Sequence, residues 1–177
     1  MHMRIRMLTA LGTTLAAVAA PASAQAPLTD AARLGGQFQM TGRVTVARFI
    51  PGEQVGQQVQ RTWTFTPLCP SGQCQQLTLA RQRAGGVDTL TLQRKSPGRY
   101  AGSGRFYAPA RCGSRTNPRG VSVPFSVTVQ ITGAAVVGGV PVATAIHATY
   151  VNPRRVNLTR CVLVAGHDAA VYDGQPA

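Results

Sequence analysis

The chain has 177 residues, a formal charge of +13 and only five acidic side chains. That balance gives paired-carboxylate catalysis little to work with and favours anionic partners. Lys95 is the only lysine, and Arg is abundant beside Ala, Gly and Val, so part of the charge reads as a genome-wide compositional bias.

Residues 1–24 read as a cleaved secretory signal peptide. Arg4 and Arg6 give a basic start, Met7 to Ala20 is uncharged and apolar, and Pro21-Ala22-Ser23-Ala24 supplies small residues at a cleavage site. The expected location is secreted or periplasmic. About 150 residues remain, which suits one domain with one hydrophobic core. No later segment is long and apolar enough to span a membrane as a helix.

Residues 25–35 read as a linker or short helical plug, with Thr29 or Asp30 capping one turn that closes the mouth of the following domain. Residues 36–165 form the expected β domain and residues 166–177 a C-terminal tail. Alternation with period two marks the strands. Phe38, Met40, Val44 and Val46 alternate in the first, and Val59, Trp63 and Phe65 in the second. Leu77 and Leu79 mark the third, Leu90 and Leu92 the fourth, Tyr100 and Phe106 the fifth. The sixth, Val121 to Ile131, is the clearest, and Pro124 on its wet face predicts an edge or a bulge. Ile146 and Tyr150 mark the seventh strand, and Val156, Leu158 and Val162 the eighth.

Turn residues separate the strands at Pro51-Gly52, Pro70-Ser71-Gly72, Gly85-Gly86, Pro97-Gly98, Asn117 to Gly120, Gly138-Gly139 and Asn152-Pro153. Short connections make sequential antiparallel neighbours. The expected fold is therefore all-β: an antiparallel meander of about eight strands, closed as an up-and-down barrel of lipocalin or avidin architecture, with a β-sandwich as the alternative.

Cys69, Cys74, Cys112 and Cys161 are an even set in an oxidising compartment, which reads as two disulfides and not as a metal site. Three connectivities are open; Cys69–Cys74 as a turn clamp and Cys112–Cys161 as a long-range staple are favoured. The staple requires either that the Ala110–Gly120 loop lies along the outside of the sheet or that the strand count differs from the one above. Gly102 and Gly104 face inward on the fifth strand, giving either ligand space or room for a bulky neighbour.

Catalytic signals are few. Glu53 and Asp88 fall in expected turns and the other carboxylates near the termini. His167 and Asp168 are adjacent and would point to opposite faces. His147, grouped by alternation with Ala143, Ala145 and Thr149, is the residue to mutate first if the protein is an enzyme. No cofactor or metal is expected, and the protein is read as non-catalytic.

Alternation turns Arg61 and Arg160 inward. An unpaired guanidinium in a core is costly, so both are expected near the barrel mouth. With Trp63, Phe65 and Tyr150 they would form an apolar pocket with anionic anchoring, binding a small anionic or amphipathic molecule. The alternative is a basic envelope or cell-surface interaction protein with a filled core, recognising an anionic polymer. Nucleic acid is not an expected physiological partner. Gly36-Gln37-Phe38 resembles the Gly-x-Trp opening of lipocalins with Phe in place of Trp, and Arg160 resembles their closing arginine. The match covers a handful of residues and assigns neither family nor ligand.

Overall fold

The computed structural model describes residues 26–83, 85–161 and 165–177; the signal peptide read at 1–24 and Val162 of the expected eighth strand lie outside the described residues. One short helix, α1 (Leu28–Ala31), precedes nine strands. They are β1 (Gly36–Arg48), β2 (Gln58–Pro67), β3 (Gln76–Arg83), β4 (Gly86–Ser96), β5 (Arg99–Cys112), β6 (Arg115–Val137), β7 (Val140–Asn152), β8 (Val156–Asn157) and β9 (His167–Pro176). Hydrogen bonding runs β5-β4-β3-β2-β1-β9-β7-β6, and β5 also pairs with β6, so eight strands close into an antiparallel barrel. β8 is an extra strand against Val121 and Ser122. Every strand of the eight-stranded wall is paired on both sides, with β4 and β5 joined only through Gln93–Ala101, Arg94–Tyr100 and Ser96–Arg99.

The expected barrel is present, but its last strand is elsewhere. Val156 and Leu158 are exposed, and the segment expected as the eighth strand contributes only two residues, outside the wall. The closing strand is β9, drawn from residues expected to be a tail; it pairs with both β1 and β7. Asp168, Ala170, Tyr172 and Gly174 are buried on its inner face. Small side chains and a single aromatic gave this strand a weak apolar alternation.

Three local expectations change as well. Asn117 to Gly120 is not a turn: β5 and β6 form one long hairpin that turns at Gly113-Ser114. Pro124 is not on a bulge, and its edge is only local: on the β7 and β8 side it has no ladder partner. It pairs with Arg105 and falls between the stretch of β6 matched to β7 and the stretch matched to β8. The register shift sets Ala108 to Ala110 of β5 against Asn117 to Val121 of β6, so the extra residues lie on β6 before Val121. Register shifts between β6 and β7 put Ala143 inside and Ala145 and His147 outside, which splits the face expected for His147.

Both favoured disulfides form, Cys69–Cys74 and Cys112–Cys161. Cys112 is at the hairpin tip, and Cys161 lies in the connection from β8 to β9 instead of on a barrel strand. The hairpin therefore does not lie back along the sheet.

The start of β1, the β2–β3 loop and the β4–β5 and β6–β7 turns meet at the end called lower here. The β1–β2, β3–β4, β5–β6 and β7–β9 connections meet at the upper end. The lower half is filled: Phe38, Met40, Trp63, Phe65, Leu77, Leu79, Leu92 and Tyr100 are almost fully buried. Gly102 and Gly104 make room for neighbours, not for a ligand. A Cβ on Gly102 would meet the Thr91 carbonyl and, at 2.8 Å, Leu92; one on Gly104 would lie 2.7 Å from the Phe125 ring.

The lower mouth is closed by residues 28–34. Ala32 and Leu34 join the core, and Arg33 pairs its backbone with Pro141 and Ala143 at 2.9 and 3.0 Å. Its guanidinium donates to the carbonyls of Cys69 (2.8 Å) and Gly72 (3.1 Å), holding the disulfide loop against the plug. The expected cap by Thr29 or Asp30 is absent. The N-cap is Pro27, and no side chain caps the helix.

Candidate functional site

The upper mouth holds a cavity of about 180 Å³. Its floor is Trp63, and its walls include Phe106, Tyr150 and Tyr172. Charge dominates the rest: Arg61, Arg81, Arg83 and Arg155 stand against Asp88, Asp168 and Glu53.

Arg81 and Asp88 face each other across the β3–β4 hairpin. Both are buried, and Arg81 Nη2 donates to Asp88 Oδ2 at 3.0 Å. Arg83 Nε donates to the other carboxylate oxygen at 2.9 Å, so one aspartate anchors two guanidiniums. Arg81 also lies between the rings of Phe125 (4.3 Å) and Tyr150 (4.4 Å), and Arg83 lies 4.3 Å over Phe106. Desolvated cation–π contacts of this kind contribute about 1–2 kcal/mol each. On the opposite wall Arg155 donates to Asp168 at 3.1 Å.

These pairs leave an excess of donors. The one hydrogen bond from the Arg61 side chain, among the described residues, goes to the Gln60 carbonyl. Arg81 Nε and Trp63 Nε1 are buried and bond no acceptor. A buried N–H without a partner costs about 1–3 kcal/mol, so these donors favour an acceptor-rich occupant.

Titration shifts point the same way. Burial pushes Tyr150 well above the usual phenol range and raises Tyr172, and the Asp168 charge raises both further. Their hydroxyls therefore stay protonated at neutral pH. Glu53 is raised chiefly by burial and then by Asp168, with Arg155 and Arg61 pulling it down. A mouth with four guanidiniums and three carboxyls becomes more positive whenever Glu53 takes up a proton.

Of the five residues expected to bind a ligand, the barrel brings Arg61, Trp63 and Tyr150 to this cavity. Phe65 is on the same face of β2 but one step deeper, packed edge-on against Phe38 at 5.5 Å. Arg160 is corrected outright. It is exposed in the β8–β9 connection, because the strand that was to turn it inward does not exist there. With it goes the resemblance to a lipocalin closing arginine.

Arg81, Arg83, Asp88, Arg155, Asp168 and Glu53 complete the site and were not foreseen. Asp88 belongs to β4, not to a turn. The signal for the central pair was present: Leu77, Leu79 and Arg81 mirror Leu92, Leu90 and Asp88 across the β3–β4 hairpin. Extending each alternation by one more step places a cation opposite a carboxylate.

His147 lies on the outer wall, its Nδ1 2.8 Å from Asp173 Oδ1, with both side chains well exposed. Among the described residues no helix is long and apolar enough to cross a membrane. No family model matches the chain, and no curated protein matches it either.

Proposed function

We propose that this is an exported, non-catalytic protein that binds a small anionic molecule in the upper mouth of its barrel. One observation carries the reading: Arg61, Arg81 and Trp63 line one cavity, Arg61 has no carboxylate partner among the described residues, and Arg81 Nε and Trp63 Nε1 are buried without an acceptor. Arg61 does bond the neighbouring Gln60 carbonyl, but its charge is unpaired among the described residues. A carboxylate, sulfate or phosphate offers several acceptors and the missing negative charge.

Size narrows the class. Pockets for drug-sized molecules run to roughly 300–1,000 Å³, so 180 Å³ fits an anion of a few heavy atoms or the head of a larger one. The plugged lower mouth makes the upper end the route of entry. Export rests on the basic, apolar and small-residue order of residues 1–24 and is supported by the two disulfides.

The test is titration calorimetry of the mature chain with sulfate, phosphate and short carboxylates. At least one should bind, and Arg61→Ala should weaken it about ten-fold or more while leaving the unfolding midpoint within about half a kcal/mol. An affinity that Arg61→Ala leaves unchanged would overturn the reading. Native mass spectrometry of chain purified from an exporting host would then identify any retained anion.

A further inference from the structure

Phe49 carries a positive φ of 53°, and its side chain is 71% exposed. A left-handed backbone is strained for a bulky residue, and strain of this kind collects at functional sites. Here it holds a phenyl ring out in water, which gains nothing for the fold. Val55 is 67% exposed in the same β1–β2 loop, and Leu158 is 52% exposed beside β8. Phe49 also borders a rim groove of about 370 Å³, with Pro51, Pro109, Val121 and Arg111 among its walls.

Charge surrounds these apolar side chains. Arg48 precedes Phe49, Arg111 and Arg115 flank the tip of the β5–β6 hairpin, and Arg154 and Arg160 lie in the connection that Cys161 ties to that tip; all five are exposed. The carboxylates of this end face elsewhere. Asp88 and Asp168 are buried against arginines in the mouth, and Glu53 lines it half-buried. Asp30 sits on the lower plug and Asp173 on the outer wall. The rim is therefore cationic with protruding apolar groups.

We propose that the upper rim docks on an anionic lipid surface, with Phe49 and Val55 entering the headgroup boundary and the rim arginines on the phosphates. Interfacial binding needs both apolar insertion and electrostatic attraction, and Phe49 and Arg111 offer both in one groove. An acidic polysaccharide would engage the arginines but would not reward an exposed phenyl and valine. The rim groove and the anion pocket share Arg155, but Arg61 lines the pocket and not the groove and takes no part in the docking.

The experiment is flotation of the mature chain with vesicles of phosphatidylcholine alone or with one-third phosphatidylglycerol. Binding is expected only to the anionic vesicles and should weaken with salt. Phe49→Asn removes the ring and suits the left-handed backbone, so the fold is kept; it should lower partitioning about ten-fold. Arg111→Gln and Arg115→Gln should each lower it about five-fold. Arg61→Ala should not alter it.

A second readout uses Phe49→Trp. Trp63, the one native tryptophan, is fully buried, so a blue shift on adding anionic vesicles would report the new indole and support insertion. Absence of binding to phosphatidylglycerol, binding unaffected by Phe49→Asn, or a Phe49-dependent dimer without vesicles would each overturn the proposal. Binding to an acidic polysaccharide alone would do the same.

Discussion

At the lower end of the barrel the chain closes its own mouth. Leu34 and Ala32 fill the opening, Arg33 ties the plug to the Cys69–Cys74 loop, and Tyr100 donates to the Cys74 carbonyl at 3.1 Å. At the upper end the interior stays polar. Arg81 and Asp88 replace what would be one more aliphatic layer above Leu79 and Leu90, and a cavity opens over Trp63. One strand pattern thus yields a sealed end and a charged end. The difference teaches that the charged layer is not needed to close the barrel, since the aliphatic solution is present one step below on the same two strands.

The sharpest way to break this contrast is to unbalance the charged layer. Asp88→Ala leaves Arg81 buried with its carboxylate gone, and breaking a buried pair from one side costs about 3–5 kcal/mol. Urea unfolding should show this as a large drop in midpoint. Replacing both partners together, Arg81→Met with Asp88→Leu, should restore most of the loss, because aliphatic residues of similar volume often match a buried pair. If the double variant is as unstable as Asp88→Ala, the charged layer is structural and its retention needs no functional explanation.

The disulfides compare the two ends directly. Cys112–Cys161 spans 49 residues and holds the upper rim, whereas Cys69–Cys74 spans five at the plug. Loop-closure entropy assigns about 4 kcal/mol to the first and about 2 to the second. Cys112→Ser with Cys161→Ser should therefore lower the denaturation midpoint more than Cys69→Ser with Cys74→Ser. The reverse order would mean that the short clamp acts through the native plug contacts rather than through the unfolded chain.

How legible these features were in the sequence depends on side-chain bulk. Strands whose inner face carries Phe, Trp, Leu or Val declared themselves, and the turn glycines set the meander. β9 did not, because Ala170 and Gly174 leave little apolar signal, and Gly174 is required there by the close approach of Met40. Losing β9 displaced the eighth strand onto Val156 to Val162 and carried Arg160 inward with it. The same rule served Arg61 well, since Val59, Trp63 and Phe65 do belong to one barrel strand. Arg81 and Asp88 were missed by stopping an alternation at its last leucine, and Arg155 and Asp168 because a loop and an unrecognised strand bring them together. A contact between distant segments has no local signature.

The subtlest expected effect lies in Glu53, and it sharpens the contrast because the lower end has no counterpart. Its carboxyl is raised above the ordinary 4.5, first by burial and then by Asp168. A raised folded-state value means that this group favours the fold most below about 4.5, and that the contribution is lost as pH rises through the higher folded value. Glu53→Gln should therefore stabilise the protein slightly at neutral pH, by about half a kcal/mol, a small figure because a half-buried carboxyl is screened by water. An anion in the mouth would favour the protonated form further, so binding takes up a proton. Sulfate affinity should fall about ten-fold as Glu53 ionises, from roughly 1.4 kcal/mol between the doubly charged anion and a unit charge about 6 Å away in a water-like dielectric. Sulfate keeps its charge across this window, so the slope belongs to the protein. Calorimetry of Glu53→Gln should show that slope flattened; if it persists, another group in the mouth is the one that titrates.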